Sequence, residues 1–144
     1  MTSSPEIQDL LTSMTEKIAG ATGLVALSDD GIALHWAAME RTQAEGLAAM
    51  ASSLGKLAQT IAAQSGDVVR RQLIDMDNGY LLLTRAGKAS YLALRTERNA
   101  NLEVATGEVV LLAKRIGHVL DTQRRDDIAR QQGRVAAARW GAPE

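Results

Sequence analysis

Three glycine-bearing turn signals constrain this chain more than any other feature: Asp29-Asp30-Gly31, Asp77-Asn78-Gly79 and Ala86-Gly87-Lys88. Gly after Asp or Asn permits the positive backbone angles of tight hairpins. Strands joined by such turns must be antiparallel, because a parallel pair needs a crossover of about a dozen residues or more. Residues 23–28 form the apolar strand before the first turn. After it, Ile32, Leu34 and Trp36 alternate with Ala33, His35 and Ala37, giving a strand with one large face and one small or polar face. Residues 67–76 read as a long strand with Val69, Arg71, Leu73 and Asp75 on one face, and strands over 80–85 and 90–95 follow.

Helical periodicity fills the remaining stretches. Ser4 and Pro5 suit the start of a first helix, in which Ile7, Leu10, Leu11, Met14 and Ile18 recur at helical spacing before a stop at Gly20. A second helix over 42–64 carries two ridges. Leu47, Met50, Leu54, Leu57 and Ile61 form a large apolar one; Ala44, Ala48, Ala51, Gly55, Ala58 and Ala62 form a small one about 100° around the helix. A sheet needs only the large ridge, so the small ridge is expected to meet a second surface, such as a neighbouring helix. A last helix starts near Asn101, with Leu102, Ala105, Val109, Leu112, Ile116 and Val119 as its buried stripe. The order α-β-β-α-β-β-β-α defines an α+β domain over residues 1–121, with a five-stranded antiparallel sheet flanked by helices. Residues 122–144, at net charge +2, read as a polar Arg-containing tail, frayed or extending the last helix.

Composition excludes several functions. The 144 residues include no Cys, so disulfides, thiolate catalysis and thiolate metal sites are absent. His35 and His118 are the only imidazoles, and no spaced ligand set accompanies them. Gly87-Lys88 lacks the earlier glycine of a phosphate loop, since position 82 is Leu, and reads as a turn. Ser52-Ser53 has no nucleophile elbow, and the paired acids Asp29/Asp30 and Asp75/Asp77 are explained by turn chemistry. A net charge of −1 gives no reason to expect nucleic-acid binding. No apolar run approaches the roughly 20 residues of a membrane span, and the N-terminus has no basic region of a secretory signal, so a cytoplasmic location without membrane insertion is expected.

Two features lack a place in a monomer: the small ridge of the second helix, and Arg70, Arg71 and Gln72 in a strand whose backbone would be open to a partner if it lies at an edge. The segments "GLVALSDDGIAL", "RQLIDMDNGYLLLTRAGKASYLAL" and "EVVLLAKRIGHVL" resemble the Roadblock/LC7 domain, over about residues 6–120. Within that family they look most similar to bacterial, MglB-like members encoded beside small Ras-like GTPases in conservon operons.

The resemblance implies a profilin-like fold without enzymatic activity or cofactor. It implies a homodimer in which the second helices pack together and the third strands pair. Here that assigns Ala44, Ala48, Ala51, Gly55 and Ala58 to helix contact and Val68, Val69, Arg70, Arg71, Gln72 and Leu73 to strand pairing. It further implies a scaffold that binds a small Ras-like, MglA-type GTPase and modulates its nucleotide cycle. The implied complex can include a membrane histidine-kinase-like sensor, which would recruit the chain to the inner face of the membrane. Candidate partner contacts are Arg41, Ser52 and Lys56 on the second helix and Arg124, Arg125, Arg130 and Arg134 in the tail. No Arg lies within the second helix, Arg41 standing at its start, so regulation would reposition the GTPase's own residues. The runner-up is a small-ligand sensor of GAF or PAS type, which an aromatic content of 3% makes hard to build.

Overall fold

The last strand in the sequence lies in the middle of the sheet. The computed structural model describes residues 4–139, with α1 (Ser4–Lys17), β1 (Ala21–Ser28), β2 (Ala33–Ala37), α2 (Arg41–Ala63), β3 (Arg71–Met76), β4 (Gly79–Arg85), β5 (Ser90–Glu97) and α3 (Leu102–Arg139). The strands run β2-β1-β5-β4-β3, and every neighbouring pair is antiparallel. The turn glycines behave as expected at Gly31 and Gly87, both at positive φ. Gly79 serves differently: its φ is not positive, but a Cβ there would collide with the Thr96 carbonyl.

Alternation along the strands sends side chains to two cores. On one face, Leu24, Ala26, Leu82, Leu92 and Leu94 pack under α1 and α3, whose Ile7, Leu11, Val109, Ile116 and Leu120 are fully buried. On the other, Val25, Leu27, Leu81, Leu83, Tyr91 and Ala93 pack under α2. The two strand ends of the series, β2 and β3, are the sheet edges.

Two expectations change. In β2 the register shifts between Ala26 and Leu27, whose partners are His35 and Ala33. This β-bulge sends Leu34 to the α1/α3 core and Trp36 to the α2 core, so the single large face is not formed. β3 begins at Arg71, because the Gln59 side chain intercepts the segment before it. Val69 N–H donates to Gln59 Oε1 at 3.3 Å, and Gln59 Nε2 donates to Val69 O at 3.2 Å. The boundary placed at residue 121 leaves no break in the backbone: α3 runs on to Arg139, the extended-helix alternative for the tail over the described residues.

α3 is held to the β4–β5 turn by close backbone approach. A Cβ on Gly117 would stand 2.5 Å from Gly87 N, and Asp121 accepts the backbone N–H groups of Lys88 (2.8 Å) and Ala89 (3.0 Å). Gly117→Ala should therefore lower stability by about 1–3 kcal/mol through overpacking. Urea denaturation should show a reduced midpoint at unchanged slope.

Candidate interaction surface

α2 meets the sheet with its small residues. Ala44, Ala48 and Ala51 have no exposed surface, and Gly55 is buried. A Cβ on Gly55 would lie 2.6 Å from Tyr91 Cζ, so only glycine admits that ring. The sheet supplies the bulk here, through Leu27, Leu83 and Tyr91, and the helix answers with small side chains. This reverses the expected roles of the two ridges. Ala44, Ala48, Ala51 and Gly55 are spent inside the protomer and cannot form a helix contact with another chain; Ala58 is half-buried.

The large ridge is turned outward instead. Met50 is 63% exposed, Leu57 63% and Ile61 69%, while Leu47 stays buried. On β3 and the approach to it, Val68, Leu73 and Met76 are also exposed. Scattered exposed apolar residues are ordinary, but Met50, Leu57, Ile61, Val68 and Met76 lie on the α2 side, on the helix and the strand it leads into, which marks an interaction surface; Leu73 points to the other face of the sheet, as its partner Leu82 does.

The two sheet edges are treated differently. At β2, Gln8 of α1 donates to the Trp36 carbonyl at 2.7 Å, and His35 Nε2 meets Gln123 Oε1 of α3 at 3.1 Å. At β3, no strand lies beyond the outer side among the described residues. Of the residues expected at this edge, Arg70 and Arg71 are exposed, Val69 is held by Gln59, and Gln72 Nε2 donates to Leu54 O at 3.2 Å. Asp75 is engaged by Arg98, which also stacks 5.0 Å from the Tyr80 ring centre and donates to Met76 O at 2.7 Å.

The expected partner contacts divide. Lys56 is exposed, and Arg41 is exposed but pairs with Glu45 at 3.0 Å and lies 5.9 Å from the Trp36 ring centre. Ser52 is 5% exposed, bonds to Ala49 O and abuts Gly31, so it offers nothing to a partner. Arg125 and Arg130 are exposed on α3; the side chains of Arg124 and Arg134 lie outside the described residues. No described helix is long and apolar enough to cross a membrane.

An α+β domain of three helices about a five-stranded sheet, with one open edge and an apolar helix face beside it, is the class that this geometry defines. The sequence matches the family model of the Roadblock/LC7 domain over residues 7–96, and the chain belongs to that family. Two Roadblock/LC7 structures from Streptomyces avermitilis are similar. One is 26% identical over 78% of this chain and 96% of that one, at a TM-score of 0.75. The other is 32% identical over 77% and 98%, at 0.64. The gliding protein MglB of Thermus thermophilus shares the fold at 14% identity, over 85% of this chain and 94% of that one, with a TM-score of 0.74. Curated protein sequences give no match.

His35 links β2 to α3 and carries the one resolved titration shift among the described residues. Burial lowers its pKa, and the contact with Gln123 raises it in part. The unfolded chain therefore binds this proton more readily than the folded one. The neutral ring's contribution to stability is present above the unfolded pKa of about 6.5 and is lost as pH falls from there through the lower folded value. Denaturation midpoints measured from pH 7.5 to 5 should fall, and His35→Gln should flatten that slope.

Proposed function

We propose that the chain is a non-enzymatic, homodimeric scaffold that binds a small Ras-like GTPase and modulates its nucleotide cycle. The observation that carries the dimer is the joint exposure of Met50, Leu57 and Ile61 on α2 with Val68 and Met76 beside and on the open edge. Pairing β3 with its copy satisfies that edge, and the same approach brings the two α2 helices together through their large ridges. Fully covering a side chain of this size is worth roughly 1.5–3 kcal/mol, so the ridge supplies a driving force that edge hydrogen bonds alone would not. The interface residues are thus Met50, Leu57 and Ile61 on α2, with 68–73 retained for strand pairing.

The GTPase reading is supported by membership in the Roadblock/LC7 family and by the shared fold with MglB. The proposed role is to position the GTPase's own residues, because α2 carries Arg only at its first position, Arg41. Lys56 and the exposed Arg125 and Arg130 remain the proposed polar contacts, and recruitment to the inner membrane face through a histidine-kinase-like sensor remains part of the proposal.

Light scattering should give a mass near twice 15.4 kDa at micromolar concentration. Ile61→Glu should shift the protein to the monomer while retaining the folded circular dichroism spectrum; a persistent dimer would reject the α2 interface. Pull-downs with the GTPase encoded beside this gene, loaded with GDP and with a GTP analogue, test the partner. Binding in neither state would leave the GTPase role without support.

A further inference from the structure

The face of the sheet opposite α2 is incompletely covered. α1 lies over β1 and β2 and α3 over β5 and β4, so among the described residues no helix packs squarely on β3 on that side. Leu73 is directly paired with Leu82, which packs into the α1/α3 core, yet Leu73 itself is 50% exposed. Beside it, Arg71, Leu102, Val110 and Leu111 line an open groove of about 680 Å³ between α3 and β3, and Leu111 is 64% exposed.

We infer that this groove is half of a helix-binding trough on the back of the paired sheet, and that its occupant is one acidic, amphipathic helix of another protein. The inference rests on the β3-paired dimer proposed above. Strands lie about 4.8 Å apart, so an α3 riding between β4 and β5 stands about 10 Å from a two-fold axis at the paired edge. Helices pack at roughly 8–10 Å. A single helix on the axis therefore contacts both α3 helices at normal packing distance, and the second groove completes the first. Its walls are Leu102, Val110 and Leu111 from each protomer, and Leu73, two residues beyond Arg71 on the same face of β3, carries the apolar surface on toward the paired edge.

Charge selects the occupant. Arg71 lines the groove, and exposed Lys114 follows one turn beyond Val110 on the same helical stripe, against a single acid, Glu103. Asp75, on the same face of β3, is already engaged by Arg98. The trough thus has a positive excess around an apolar lining and suits a helix whose apolar stripe is flanked by Glu or Asp. The helical extension of another copy is disfavoured, because residues 122–144 carry net +2.

The test uses the full chain and two fluorescein-labelled 20-residue model helices with the same Leu/Ala stripe, one flanked by Glu and its twin by Lys. Fluorescence anisotropy should show the Glu peptide saturating at one per two chains, with the Lys peptide at least tenfold weaker. Leu111→Ser should weaken the Glu peptide about tenfold or more, and Arg71→Glu should reverse the preference. Equal binding of the two peptides, saturation at one per chain, or indifference to both substitutions overturns the inference. Light scattering on the same samples separates the two readings. A dimer that binds neither peptide rejects the trough alone, and a monomer rejects the dimer and the trough together. A mass above the dimer that Leu111→Ser abolishes would show the trough filled by another copy, and so also rejects the inference.

Discussion

The close approach of α2 to the sheet at Gly55 and Tyr91 sets the rest of the α2 side. A side chain of any size at position 55 would meet the Tyr91 ring at 2.6 Å. With glycine there, and Ala44, Ala48 and Ala51 in register along the same stripe, the helix lies flat on Val25, Leu27 and Leu83. The orientation of the whole helix follows, because the small stripe fixes its rotation. Everything on the opposite side, Met50, Leu57 and Ile61 included, is turned to the outside. The exposed apolar ridge is thus a consequence of the packing beneath it rather than an independent surface feature.

Elements and their order were legible in the sequence because they rest on local signals. Turn glycines, two- and three-to-four-residue periodicities and the Pro5 start give the order of all eight elements and place their bounds within about three residues, except at the start of β3 and the end of α3. The resemblance to the Roadblock/LC7 domain was legible for the same reason, being carried by the order of elements and the text of one hairpin. Which ridge of α2 faces inward was not legible. That outcome depends on the volumes contributed by the sheet, above all Tyr91, which is 36 residues downstream of Gly55. Periodicity locates two stripes on a helix but says nothing about the size of the surface each will meet.

The other departures share this cause. The shortened β3 reflects Gln59, ten positions earlier than Val69, bracketing a backbone that the alternating pattern would assign to the strand. The bulge in β2 divides Leu34 from Trp36, although the alternation places them together. The burial of Ser52 follows from Gly31, which brings the β1–β2 turn against α2. At Gln59 and Gly31 a tertiary contact overrides a local preference, and the residue that makes it is amide-bearing or small.

The unequal treatment of the two edges has a consequence for how such chains can add to one another. At β2 the Trp36 carbonyl is taken by Gln8 and the strand is tied to α3 through His35 and Gln123, so β3 is the more open edge among the described residues. Under the proposed β3 pairing, a chain that joins through that edge alone has a valency of one, and strand addition ends at the pair rather than running on as it does in proteins with two bare edges.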